Sequence, residues 1–583
     1  MGDTIFSTKI EQYSFDKEGI IKIKDKSIYG VDWPVVYILS GDKEAYIGET
    51  QSAYDRMNQH LGNQKRKKLT KISLMTSNSF NKSAILDIEN LLITHMHADG
   101  KFVLQNANGG QSKLHNYYQR GEYQNAFINL WNKLQRLGLV NKNLFEVENS
   151  EIFKFSPYKE LTREQYQVVE ELLSIYVNAM QGNHRTDVVI KGGAGTGKSL
   201  IAIYFINMIA NILKNNFDFN DTEEFIDEEN FYSRANLIKK IKLFGNEKIA
   251  FVIAVPSFKS TVKKVFKSIK ELRHIDVISP SEAVKGDYDV LIVDEAHRLK
   301  RREKLTNYRS HDDINQKLGL PLQSTELDWL QKAAKKLLIL FYDDKQSVKV
   351  SDVSREDFEK IEYNQDTNLF YLTSQLRVRG GNEYINFIHK LFTERPTIYK
   401  VGNGYDLKIF DDCHDMVKAI KEKNITYKGL CRVLSGLSFE WRKKIRDNKT
   451  TTYNKEFDFE LDGHTYCWNE DFNASDFITN DKNLDKIGCI YTSQGHDLNY
   501  AGVILGKDIS YNPVTKQIEF LIDNFTDTYS KSTDRESTIK NIINAYLVLL
   551  TRGIFGTYIY AVDKNLREFL KNKIIYKEVT KKN

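Results

Sequence analysis

The chain has 583 residues, of which 41% are hydrophobic and 28% charged. That length is too great for one hydrophobic core and asks for three or four folding units, while the composition excludes a disordered or low-complexity protein. Lysine plus arginine stand at 84 against 78 for aspartate plus glutamate, a net charge of +6, which excludes a strongly polybasic protein and accommodates nucleic acid only through local patches.

The first residues lack an apolar signal core, and no run approaches the roughly 18 apolar residues of a membrane span. A cytoplasmic protein without membrane contact is therefore expected. Cys413, Cys431, Cys467 and Cys489 lie far apart without CxxC spacing, so they are expected to be buried thiols in a reducing compartment.

In chain order, Val35-Val36-Tyr37-Ile38-Leu39, a Ser-Gly-Asp turn and Ala45-Tyr46-Ile47 predict a hairpin, with Gly48 ending its second strand. Helix spacing follows over 52–61, then the basic run Lys65-Arg66-Lys67-Lys68, a strand over 71–76 and a helix over 82–97. These elements predict a compact α/β unit over 33–111 within a first domain of residues 1–115. Residues 116–155 are polar and helix-prone and are expected to form a helical connector.

Beyond residue 156, β-branched runs at Asp187–Ile190, Ala250–Ala254 and Val290–Val293 alternate with helical stretches, which predicts parallel sheets covered on both faces. Boundaries are expected at 156–365 and 366–583. The acidic stretch 218–229 and the basic stretch 298–313 read as surface insertions, and alternation around Asp462-Gly463 predicts an inserted hairpin.

The sharpest motif is Gly192-Gly193-Ala194-Gly195-Thr196-Gly197-Lys198-Ser199, between a strand and a helical run. Its glycines let backbone N–H groups face phosphate oxygens, Lys198 reaches the β/γ-phosphates and Ser199 binds Mg²⁺. A second apolar strand ends in Val293-Asp294-Glu295-Ala296-His297. There Asp294 suits Mg²⁺ and Glu295 suits an attacking water, so ATP hydrolysis with Mg²⁺ is expected rather than nucleotide binding alone.

From about residue 156 to 560 the chain resembles superfamily 1 helicases, specifically the Schlafen-group-3-like DNA/RNA helicase domain. The resemblance rests on Leu161-Thr162-Arg163-Glu164-Gln165, Val255-Pro256-Ser257, Tyr342-Asp343-Asp344-Lys345-Gln346, Thr373-Ser374-Gln375-Leu376-Arg377, Ser493-Gln494-Gly495-His496-Asp497 and the run from Ala545 to Arg552. It implies two RecA-like motor lobes, with Gln165 reading adenine and Gln346 sensing the γ-phosphate. It further implies Arg377 and Arg552 as arginine fingers. A planar cation that arrives on closure fits the charge of phosphoryl transfer. Asp497 stands where many relatives carry glutamate.

Residues 33–111 resemble the GIY-YIG nuclease domain, on Val35-Val36-Tyr37, Tyr46-Ile47-Gly48, Arg56 and His60 one helical turn apart, Glu89 and Asn106. Two valines replace the glycine and isoleucine of the first signature. The resemblance implies that Glu89 holds one Mg²⁺ or Mn²⁺, that Arg56 steadies the scissile phosphate, and that Tyr37 or Tyr46 helps to activate water. Beside this unit, the basic run at 65–68 is a candidate for phosphate contact.

Together the resemblances imply an ATP-dependent nuclease-helicase acting on nucleic acid, DNA in preference to RNA. Its expected setting is bacterial or archaeal defence against phage or plasmid DNA, with repair as the alternative. Two rivals are an ATP-gated binding switch and a motor whose nuclease fold serves only for targeting.

Overall fold

The computed structural model describes residues 7–26, 28–106, 117–214, 228–245, 247–343, 345–393, 398–402, 404–440, 444–447, 450–453, 458–469, 477–493 and 496–576. Most of the acidic stretch 218–229, together with Asp344, Gln494 and Gly495 of the motifs above, lies outside these residues. The chain separates into two compact units that interleave in sequence. One comprises 1–181, 199–247 and 262–275; the other comprises 182–198, 248–261 and 276–583.

The first unit holds a five-stranded sheet built from β1 (Lys9–Ser14), β2 (Val35–Ser40), β3 (Glu44–Thr50), β4 (Lys71–Thr76) and β5 (Val103–Leu104), in the order β1-β4-β2-β3-β5. Pairing is antiparallel except between β3 and β5. Every residue of β2 is buried, which is why Val35–Leu39 reads as a continuous apolar run: the strand has neighbours on both edges and cover on both faces. Strand alternation divides its side chains. Val36 and Ile38 join the cluster around helix Lys82–Asp99, whereas Val35, Tyr37 and Leu39 join Ala53 and Met57 of helix Ala53–Leu61.

Two features of this unit depart from expectation. Gly48 does not end its strand, because β3 continues to Thr50 and Gly48 faces Tyr37 across the hairpin. In addition, β1 and helix Lys17–Lys26 precede the elements read from the sequence. The edge strand KIEQYS buries none of its residues fully, so it carries little hydrophobic signal. The segment expected as a connector forms helices Arg120–Arg136, Leu144–Asn149 and Glu151–Lys154, and its Phe127, Trp131, Leu134 and Val147 share the apolar cluster of Lys82–Asp99.

The two larger sheets among the described residues of the second unit are parallel, as its alternating pattern requires. The larger combines β6 (Thr186–Gly192), β7 (Ile249–Ile253), β8 (Asp276–Ile278), β9 (Tyr288–Asp294), β10 (Ala334–Tyr342) and β11 (Thr367–Leu372) in the order β11-β6-β10-β9-β7-β8. Its central strands are fully buried over Leu338–Phe341 and Leu291–Val293, and each such side chain contributes roughly 1.5–3 kcal/mol relative to exposure. The smaller sheet orders Asp406–Ile409, Gly553–Ala561, Leu498–Leu505 and Cys431–Ser435, again all parallel.

The expected hairpin pairs Phe459–Leu461 with His464–Trp468, and Asp462 and Gly463 both take positive φ, 48° and 77°, at its turn. The stretch 298–313 is not purely a surface insertion: Leu299 is buried, and Arg298 is buried against Asp352 at 2.8 Å. None of the four cysteines forms a disulfide, and Cys413, Cys431 and Cys489 are buried. Among the described residues no helix is long and apolar enough to cross a membrane.

Candidate functional site

Strand β6 delivers the chain to Gly192, and helix Lys198–Leu213 begins six residues later. Between them the backbone doubles back through Gly195 at φ 80° and Gly197 at φ 85°, a conformation that disfavours any residue with a Cβ. The helix start presents the positive end of its dipole to whatever the loop encloses. Lys198 is buried, and its ammonium donates to the carbonyls of Gly192 (2.5 Å) and Gly193 (3.0 Å). It also lies 3.5 Å from Asp343 Oδ2.

The carboxyl end of β9 sets Asp294, fully buried, beside Glu295, whose backbone N–H donates to Asp294 Oδ1 at 3.0 Å. Glu295 takes a left-handed conformation, φ 53° and ψ 42°, a strained geometry for a non-glycine residue and one that clusters at functional positions. Its Oε2 lies 2.9 Å from Nε2 of fully buried His297. Burial pushes the Glu295 carboxyl up, but His297 and then Lys198 and Arg298 outweigh it and hold the group well below the usual carboxylate range. Glu295 is thus an anion at neutral pH. At the end of β10, Asp343 accepts from Gln346 Nε2 at 2.6 Å and from the Lys345 N–H at 3.1 Å.

After β11 the chain crosses to the phosphate loop. The Leu376 N–H donates to Gly195 O at 2.9 Å, and the Gln375 side-chain amide donates to Ala194 O. Arg377 follows, and its Nε lies 2.7 Å from Asp497 Oδ1. Arg552 is buried and donates to His496 O at 3.3 Å. Burial, followed by the charge of Arg377, lowers the Arg552 guanidinium to about 10, with Asp497 and Glu295 opposing. The second unit therefore brings Lys198, Glu295, Asp343, Gln346, Arg377, Asp497 and Arg552 into one electrostatic neighbourhood. His297, Asp343 and Gln375 were not singled out in the sequence. All three lie inside the quoted motifs, but His297 acts on Glu295 through a tight turn, and Gln375 shows its role only through Ala194, distant in the chain.

Gln165 and Ser199 belong to the first unit. Gln165 is buried in a reciprocal cap at the start of helix Arg163–Gln181: its Oε1 accepts from the Thr162 N–H at 3.0 Å, and Thr162 Oγ1 accepts from the Gln165 N–H at 3.2 Å. Ser199 is the second residue of the helix after the loop.

A separate constellation occupies one face of the N-terminal sheet. Tyr37 Oη lies 2.7 Å from His60 Nε2, and the Tyr46 ring packs edge-on to His60 at 5.0 Å. Burial, and then Tyr46, raise the Tyr37 phenol well above its ordinary value; Arg56 acts against this and Glu89 adds to it. His60 is pushed down to about 3 by burial, helped by Arg56 and Arg66, so its imidazole is neutral at physiological pH. Gly48 explains how the two strands fit: a Cβ there would overlap Tyr37 Oη and approach Cζ to 2.5 Å. Asn106 pins β3, accepting from the Ile47 N–H at 3.1 Å and donating to Ile47 O at 2.8 Å.

Arg66 departs from the solvated basic run of which it is part. It is buried, with its guanidinium 3.6 Å from the Tyr46 ring centre and Nη1 donating to Gln105 Oε1 at 2.7 Å. Lys65, Lys67 and Lys68 are exposed. No three His, Cys, Asp or Glu side chains among the described residues gather as a metal cluster. Glu89 is half-buried, and one carboxylate can hold a hydrated Mg²⁺ that takes its other ligands from water and phosphate.

The phosphate loop, the acidic strand end and the paired arginines on parallel sheets define a protein of the phosphate-loop, helicase-like class. The chain belongs to the Schlafen group 3 DNA/RNA helicase domain family, whose model matches residues 185–563. It is similar to Uncharacterized protein YPL245W of Saccharomyces cerevisiae, 29% identical over 450 residues that cover 70% of this chain and 90% of the relative. Membership of this family implies nucleic-acid binding.

Proposed function

We propose that the chain is an ATP-driven nucleic-acid motor with two RecA-like lobes and a metal-dependent nuclease at its N-terminus. The observation that carries the motor reading is the convergence of Glu295, Arg377 and Arg552 on one neighbourhood with Lys198 of the phosphate loop. In this reading the loop N–H groups and Lys198 bind the ATP phosphates, while Ser199 and Asp294 would hold Mg²⁺, which would screen phosphate charge. Glu295 orients the attacking water and accepts its proton. Arg377 and Arg552 offset charge on the transferred phosphoryl group, Gln346 reports the γ-phosphate through Asp343, and Gln165 selects adenine.

The nuclease reading is supported by the meeting of Tyr37, Tyr46 and His60, with Arg56 and Glu89 close enough to act on the Tyr37 phenol. Neutral His60 can hold the Tyr37 hydroxyl in a hydrogen bond, Arg56 suits a phosphate oxygen, and Glu89 suits Mg²⁺ or Mn²⁺, which would polarise the phosphate. DNA is the proposed substrate. Defence against phage or plasmid DNA is the proposed setting, drawn from the pairing of motor and nuclease.

The test incubates purified protein with single- and double-stranded DNA and RNA, with and without ATP and Mg²⁺ or Mn²⁺. Nucleic-acid-stimulated phosphate release and metal-dependent cleavage of DNA are expected. Absence of ATP turnover on every substrate would overturn the motor reading. Turnover without any cleavage would leave the N-terminal unit as a targeting module.

A further inference from the structure

The segment after β11 does more than carry Arg377 to the cleft. Four backbone groups meet at Gln375 and its neighbour. The Gln375 amide nitrogen donates to Ala194 O, while its Oε1 accepts from the N–H groups of Arg377 (2.7 Å) and Val378 (3.4 Å). The Leu376 N–H completes the junction on Gly195 O at 2.9 Å.

The fit is close. A Cβ on Gly195 would run into Gln375 Oε1 and come within 2.7 Å of Arg377 Cβ, so the glycine that gives the loop its left-handed turn also makes room for the amide. A primary amide offers a donor at one end and an acceptor at the other. Glutamate loses the donor, and leucine loses both. The loop carbonyls on the side away from the phosphate-facing N–H groups are thereby bonded to the backbone that aims Arg377, and Arg377 is held in turn by Asp497 at 2.7 Å.

We propose that Gln375 is a positioning residue, a strap through which the phosphate loop sets the aim of Arg377. This rests on the motor reading above. When the loop tightens on a polyphosphate, the Ala194 and Gly195 carbonyls move as part of the same rigid turn. Their bonds to Gln375 and Leu376 carry that movement to the Arg377 backbone within three residues. Arg377 then reaches the transferred phosphoryl group only when the loop is filled, which ties hydrolysis to correct binding. The strap changes the rate of turnover rather than the affinity for nucleotide, because it touches the loop through carbonyls that do not face the phosphates.

The test compares wild type, Gln375→Glu, Gln375→Leu, Arg377→Ala and the Gln375→Leu/Arg377→Ala double variant in the full chain. Kd is measured with a fluorescent ATP analogue, turnover by phosphate release, and amide exchange over 374–378 with and without a non-hydrolysable ATP analogue. Both Gln375 variants are expected to bind nucleotide within about threefold of wild type and to lose at least tenfold in kcat. The double variant should lose no more than Arg377→Ala alone, the signature of two residues acting as one unit. Nucleotide-induced protection of 376–378 should vanish in Gln375→Leu.

Additive losses in the double variant, a fall in affinity that matches the fall in kcat, or wild-type turnover in Gln375→Leu would overturn the strap alone. Wild-type protein that binds no nucleotide would overturn the motor reading and the strap with it. Wild-type protein that binds without turning over still decides the strap through the exchange measurement.

Discussion

In the proposed reading, the phosphate loop and the N-terminal tyrosine–histidine site meet phosphate with different materials. In the loop the binding groups are backbone N–H groups within one turn, held by two left-handed glycines and a strap of carbonyl bonds. In the proposed N-terminal site every group is a side chain, delivered by a hairpin, the helix Ala53–Leu61 and the helix Lys82–Asp99. A backbone site needs a contiguous sequence and tolerates little change. A side-chain site needs only that separate elements meet, so its sequence signature is scattered and its chemistry depends on burial and on neighbouring charges.

That contrast breaks first at the loop. Lys198→Ala and Glu295→Gln are each expected to lower ATP turnover by about 100-fold or more, since each removes a group aimed at charge that develops in phosphoryl transfer. Glu295→Gln should still bind nucleotide. Phosphate release at saturating ATP measures both, and turnover above a tenth of wild type in either variant would remove the assignment. Cleavage by the N-terminal unit should be untouched in a nucleotide-independent assay.

The reciprocal change is Glu89→Ala, expected to reduce Mg²⁺- or Mn²⁺-dependent cleavage by about 100-fold while leaving ATP hydrolysis at the wild-type rate. A variant that cuts as well as wild type would place the nuclease site elsewhere or show the activity to be foreign. One sheet position sharpens the difference in build. Gly48→Ala must displace the buried Tyr37 ring, because its Cβ would overlap Tyr37 Oη. A cost of about 1–3 kcal/mol is expected for such overpacking, read as faster amide exchange in β2 and β3. Unchanged exchange would mean that Tyr37 has room to move and that the glycine is not required for packing.

Legibility in the sequence followed the same divide. The loop, the strands before Lys198 and Glu295, and the hairpin at Asp462-Gly463 were readable because local chemistry fixes them: glycines at positive φ and apolar runs in buried parallel strands. Arg66 was not. Its neighbours are solvated, and only the fold reveals that residue 66 turns inward onto Tyr46 while Lys65 and Lys67 do not. Gln375 and His297 were hidden for a related reason, since their partners come from residues brought close by the sheet or by a strained turn. The edge strand Lys9–Ser14 escaped because a strand that buries little leaves little hydrophobic pattern. The helices over 120–154 were visible, but their apolar stripe did not announce that it would join the core of the N-terminal unit.

The smallest expected effect concerns acid, and it sharpens the claim that the N-terminal site depends on its surroundings. His60 is pushed down to about 3 by burial and by Arg56 and Arg66, against an ordinary value near 6.5. Between those two pH values the unfolded chain binds a proton at this position and the folded chain does not. Stability from His60 is therefore complete above pH 6.5 and declines as pH falls toward 3, by the linkage of proton uptake to unfolding. His97, lowered to about 4 by burial, acts in the same direction, whereas Glu160, raised to about 7 by burial, opposes it. The informative quantity is consequently the difference between wild type and His60→Gln, whose amide can still meet Tyr37 Oη but cannot titrate. Protection factors in β2, β3 and helix Ala53–Leu61, which divide out the slowing of intrinsic exchange by acid, should fall with acidification in wild type, and less steeply in His60→Gln. Because His60 stays neutral from pH 5 to 8, the cleavage profile should show no inflection from it in that range. An inflection near 6.5 that disappears in His60→Gln would mean that the imidazole is solvated and charged during turnover, and the buried Tyr37–His60 hydrogen bond would not then persist in the working site.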